Sequence, residues 1–118
     1  MINLDCLAAR YGNEIGINPD IKTTKLDTII TSALNILHGQ GIYAMFLWLK
    51  ENNERNIVII KLDKMFHDND SPISVTVDLS NMNNVRECLT NNIKTMFLAK
   101  DLIDLTLTYA RHTAKANA

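Results

Sequence analysis

The chain has 118 residues, 47% hydrophobic and 21% charged, with 12 Lys+Arg against 13 Asp+Glu and a formal net charge of −1. Length and apolar content suffice for a single domain, residues 1–118, that builds its own core without metal or disulfide staples, and they exclude disorder as the main state. The charge balance excludes a domain that binds nucleic acid by phosphate contacts alone, since that needs a clear basic excess.

Residues 1–10 carry Asp5 ahead of a short apolar stretch and no basic leader, which does not resemble a secretory signal. The first strong element opens at Asn18-Pro19-Asp20, where Asn can cap, Pro suits the first helical turn and Asp complements the positive end of the dipole. A helix over 20–38 follows. Leu26, Ile29, Ile30, Ala33, Leu34, Ile36 and Leu37 fall in one broad arc, with Asp27, Thr31, Asn35 and His38 opposite.

Gly39-Gln40-Gly41 breaks this run, and a second helix over 42–49 is apolar on every face until Lys50-Glu51-Asn52-Asn53 ends it. A helix apolar all round is expected to be buried all round, at the centre of a bundle or against a second subunit. It is far shorter than the roughly 20 residues of a membrane span.

Residues 54–67 read two ways. The run Ile57-Val58-Ile59-Ile60 is β-branched, while Leu62, Met65 and Phe66 continue a helical spacing, and helix is the favoured reading. Asp68-Asn69-Asp70-Ser71-Pro72 is a turn by composition, after which 73–79 alternates as a half-buried strand would. Residues 82–116 are helical in pattern, but as one rod would reach roughly 50 Å, so a break is expected at Asn91-Asn92. Beyond it, Ile93, Met96, Ala99, Ile103, Leu107 and Ala110 lie on one side and Leu98, Leu102, Leu105 and Tyr109 on another. The remaining stripe carries Arg86, Lys94, Asp101, Asp104, Arg111, His112 and Lys115. The expected fold is therefore all-α, a compact bundle of about five helices, the alternative being an α+β fold with a hairpin of 57–62 and 73–79.

Enzyme and metal chemistry find no foothold in the pattern. Cys6 and Cys88 lie far apart with no partner at ligand spacing, which reads as reduced thiols of a cytoplasmic protein. His38, His67 and His112 fall on separate elements and read as solvated or capping histidines. Asp68-Asn69-Asp70 starts like a calcium loop, but Pro72 and Ile73 stand where an oxygen ligand and the sharp-turn glycine belong. Asp101 and Asp104 share a solvated helix face, and Met45, Phe46, Trp48, Met96 and Phe97 are core residues by burial preference. No catalytic residue and no cofactor is expected.

The stretch from Asn35 through Gly41 and Trp48 to Lys50 resembles the helix–glycine–helix passage in the small subunit of Cmr-type (type III-B) CRISPR effector complexes, where an aromatic follows the glycine by about seven residues. The stretch from Ala99 to Ala114, with Tyr109 followed by Arg111, His112 and a small residue, resembles that family's closing helix, and the two motifs occur in the family's order. The resemblance implies an all-α, non-catalytic subunit that stacks in several copies along a guide-bearing filament and steadies target RNA without reading its sequence. Its partners would be the other subunits, RNA and copies of itself. Arg86, Lys94, Arg111, His112 and Lys115 are then the candidates for phosphate contact, the low net charge being tolerable because the assembly supplies most of the affinity. The competing expectation is a homo-oligomeric helical adaptor with no nucleic-acid role, its core formed by the helix over 42–49.

Overall fold

The computed structural model describes residues 4–17, 21–73 and 75–116, with the backbone alone at Thr23. Among these residues there are six α-helices, namely α1 (Leu4–Gly16), α2 (Thr23–Gln40), α3 (Ile42–Lys50), α4 (Asn56–His67), α5 (Met82–Val85) and α6 (Ile93–Ala116). A π-helical turn, Arg86–Thr90, runs on from α5. No strand occurs among them, so the all-α reading holds, with six helices in place of about five.

The first helix was not expected from the pattern. Leu4, Leu7, Ala8, Tyr11 and Ile15 make a narrow apolar stripe, and Ala8, Gly12 and Gly16 repeat every four residues beside it. That small-residue column lets α1 lie directly on α6. A Cβ at Gly12 would stand 2.6 Å from the Thr106 carbonyl oxygen and 2.8 Å from Tyr109 Cβ, and one at Gly16 would stand 2.6 Å from the Ala110 oxygen. Contacts advance along both helices together, so the two run parallel. Tyr109 O–H donates to Asp5 near the start of α1.

Helix α2 crosses α6 in the opposite sense, with Asp27 near Arg111 (3.8 Å) and His38 Nε2 donating to Asp104 Oδ1 (2.9 Å). It begins at Thr23, with extended Lys22 in front and no side-chain cap. The expected cap at Asn18-Pro19-Asp20 lies outside the described residues. The helix also continues through Gly39 and Gln40, and only Gly41 makes the break. There φ is 98° and ψ −175°, a region essentially reserved for glycine, and its N–H reaches the Ile36 and Leu37 carbonyls, both at 3.1 Å.

Helix α3 buries Ile42, Met45, Phe46 and Leu49 but leaves Tyr43 and Leu47 exposed, so it lies at the edge of the bundle and is not buried all round. The β-branched run 57–60 is helical in α4, where Val58, Ile59, Leu62, Met65 and Phe66 face the core. Tertiary burial overrides strand propensity here, because a 3.6-residue stripe over 58–66 has a core to fill and no strand partner exists.

That also corrects the expected strand at 73–79. Ile73, Val75 and Leu79 are buried, yet the backbone is irregular, and Val77 is exposed where alternation would bury it; residue 74 lies outside the described residues. A strand needs a ladder, and the β-branched run 57–60 that was to supply it is in α4. The segment instead hangs its polar groups on side chains. Leu79 N–H donates to Asp63 Oδ1 (3.0 Å), His67 Nε2 to the Val77 carbonyl (2.8 Å), and Asn84 Nδ2 to the Asp78 carbonyl (2.8 Å).

The expected break falls at Asn91-Asn92. Asn92 caps α6, its Oδ1 accepting from Lys94 N–H (2.9 Å) and Thr95 N–H (3.3 Å). At 24 residues, α6 is about 36 Å long, which matches the molecule's longest dimension of 37 Å. Its contacts with α1 and α2 named above fall at 104–111. On the first two turns Met96 and Leu98 pack on the core and Ala99 is buried, but the opposite side is uncovered, so Ile93, expected on a buried side, is 69% exposed. Buried Thr106 closes the centre, its hydroxyl donating to the Leu102 carbonyl (2.7 Å) with Met65 Sδ of α4 3.1 Å away.

Candidate nucleic-acid interface

The five cationic residues singled out from the pattern do not converge. Arg86 sits exposed in the π-helical turn, 3.8 Å from Glu87 Oε1. Lys94 and Lys115 stand exposed near opposite ends of α6, roughly 30 Å apart along its axis. His112 is exposed about one turn before Lys115. Arg111 is drawn toward Asp27 of α2, where its Nε and Asp27 Oδ1 are both buried 3.8 Å apart without a hydrogen bond. The acids of the same stripe offset the charge further, although Asp104 is engaged by His38. The arrangement is a thin cationic line along one helix, not a basic patch.

Two residues that sequence reasoning left out alter this line. Lys100 is half-exposed on α6, and Phe97, expected in the core, is 57% exposed three residues before it. Lys94, Lys100 and Lys115 form no ion pair with any described residue, whereas Arg86 and Arg111 each face an acid. The spacing Lys94-x-x-Phe97-x-x-Lys100 was the available signal. It is masked in the sequence by the apolar residues Met96, Leu98 and Ala99 that surround Phe97.

A second feature is a cleft of about 250 Å³ between α2 and the turn joining α3 to α4, lined among others by Lys25, Ser32, Trp48 and Arg55. The Arg55 guanidinium lies over the half-buried Trp48 ring, 3.9 Å from its centroid, and donates to the Trp48 carbonyl (3.1 Å). Lys25 is paired with Glu54 across the same cleft. The groups lining it hold one another, and none of them pairs a nucleophile with a base. No three potential metal ligands gather among the described residues.

Elsewhere, the start of the loop after α4 is clasped to α1. Tyr11 O–H and Arg10 Nη1 both donate to Asp68 Oδ2, at 2.7 and 3.0 Å. Burial, and then the bond to Asp68, pushes the Tyr11 phenol up to about 12, while the Asp70 N–H and then Tyr11 hold the Asp68 carboxyl below its ordinary range. The Lys61 to Glu14 bond (3.2 Å) fastens α4 to α1 beside it. These contacts hold α1, α4 and the loop together.

No helix among the described residues is long and apolar enough to cross a membrane. No protein-family model, curated protein or solved structure matches the chain.

Proposed function

We propose that this chain is a non-catalytic, cytoplasmic small subunit of an RNA-guided effector complex of the Cmr (type III-B) CRISPR kind, acting through contacts with neighbouring subunits, with copies of itself and with the RNA backbone. One observation carries the reading. The two stretches that resemble the family, far apart in sequence, form adjoining elements, and His38 of the first bonds to Asp104 of the second at 2.9 Å. Further support comes from the Gly41 corner, whose backbone angles only glycine adopts readily, and from a long closing helix whose lysines form no ion pair with the described residues. A surface with so little net charge suits a subunit whose RNA affinity is shared with its assembly.

The test is co-expression with the remaining effector subunits and a guide RNA. The chain should co-purify with the ribonucleoprotein, and the isolated chain should bind RNA weakly with an affinity that falls as salt rises. Failure to join a reconstitution containing every other subunit removes the proposal. A second reading, the homo-oligomeric adaptor, is favoured by the exposed pair Tyr43 and Leu47, one turn apart on α3. A stable dimer in sedimentation that Tyr43→Ser with Leu47→Ser dissolves would support that adaptor instead.

A further inference from the structure

The exposed start of α6 carries a specific geometry. Phe97 lies between Lys94 and Lys100 at three-residue spacing on either side, about 60° around the helix from each, and the two ammonium-bearing residues are about 9 Å apart along the axis. Both lysines are free of ion pairs with the described residues, Asp101 is the one acid within a turn after Phe97, and Ile93 extends the apolar surface by one turn toward the capped end. Met96 and Leu98, on either side of Phe97 in the chain, pack against the core and so anchor this turn of the helix.

From this geometry we infer that Phe97 is a stacking platform for a base of single-stranded RNA, with Lys94 and Lys100 receiving the phosphates on either side of it. The inference rests on the RNA-contact reading above and assigns it a place. Charge argues for the nucleic acid over a second copy of the chain. An aromatic face with a free cation on each side matches a base with its flanking phosphates, and single-strand binders combine these two elements, whereas a second copy would bring the same two lysines against these. A single exposed ring reads stacking without base identity, in keeping with sequence-independent contact.

The test uses the full chain and oligouridine, with a matched RNA duplex as the comparison. Wild type should bind the single strand in preference to the duplex. Phe97→Ala, at an exposed position, should keep its thermal transition and lose about ten-fold or more in affinity. Phe97→Trp should retain affinity and show emission quenched on binding, and Lys94→Gln with Lys100→Gln should flatten the dependence of log affinity on log salt by roughly 0.7 per lysine. Absence of wild-type binding, unchanged affinity in Phe97→Ala, or a dimer that Phe97→Ala dissolves while RNA binding persists would each overturn the inference. The two proposals fail separately. A chain that joins the effector complex yet binds oligouridine equally with and without Phe97 loses the stacking site alone, and one that stacks RNA but never joins the complex loses the complex alone.

Discussion

Replacing Gly12 by alanine tests the central packing claim, that α1 and α6 meet backbone to backbone. In an isolated helix the change is favourable by about 0.5–1 kcal/mol, because alanine loses less chain entropy. In this fold the new Cβ would lie 2.6 Å from the Thr106 carbonyl oxygen, 2.8 Å from Tyr109 Cβ and 3.1 Å from the Ala110 nitrogen. Two of those atoms are backbone in the middle of a buried helix, so relief requires the helices to part by nearly an ångström, forfeiting contacts along the whole seam. Overpacking of this kind costs about 1–3 kcal/mol, which outweighs the propensity gain and leaves a net loss of roughly 0.5–2 kcal/mol. At roughly 4 °C per kcal/mol for a chain of this size, Tm should fall by about 2–8 °C. Gly39 is the internal control. It is helical, exposed, and a Cβ there meets nothing within 4 Å, so Gly39→Ala should raise Tm by a few degrees at most. Thermal unfolding followed by circular dichroism reads both. An equal or higher Tm for Gly12→Ala would refute the close seam and with it the placement of α1.

Arg55→Ala removes the guanidinium from the Trp48 ring and from its carbonyl, so it should cost about 1 kcal/mol in urea unfolding and red-shift the emission of Trp48, the chain's single tryptophan. An unchanged spectrum would show that the stack does not form in solution. Asn92→Ala deletes the cap of α6 and should cost about 1 kcal/mol, with faster amide exchange at Lys94 and Thr95. The clasp predicts opposite responses at the two ends of the pH scale. The Tyr11 phenol is raised in the fold, so its contribution is complete below its ordinary value of 10.0 and is lost as pH rises toward about 12. Asp68 is lowered, so its contribution is complete above 3.8 and is lost as pH falls through the lower folded value. In Tm measured against pH, Tyr11→Phe should flatten the alkaline limb and Asp68→Asn the acid limb, and unchanged slopes in both would remove the clasp.

The helical periodicities of α2, α3 and α6 were legible in the sequence, as were the corner at Gly41 and the break at Asn91-Asn92, because each depends on local backbone preference and on a stripe several turns long. The choice of helix for 54–67 was legible only as a preference, since Ile57-Val58-Ile59-Ile60 satisfies both periods over four residues. Helix α1 escaped because its contact face is built from Ala8, Gly12 and Gly16, small residues that add little to an apolar stripe, the two glycines also being poor helix formers until another helix is pressed against them. The alternation in 73–79 reported partial burial, but a strand is defined by a neighbour and no strand occurs among the described residues.

The candidate surface divides in the same way. Composition alone kept the chain from being a basic nucleic-acid binder, and spacing alone put Lys94, Arg111, His112 and Lys115 on one helix. Only the tertiary structure decided which charges are engaged, since Asp27 and His38 are brought to Arg111 and Asp104 of α6 by the packing of α2, far away in sequence. It also decided that Phe97 faces water. A residue's period on its helix is a local property, whereas its exposure depends on which sides the neighbouring elements cover, and over the first two turns of α6 they cover the side of Met96 and Ala99 and leave Ile93 and Phe97 open.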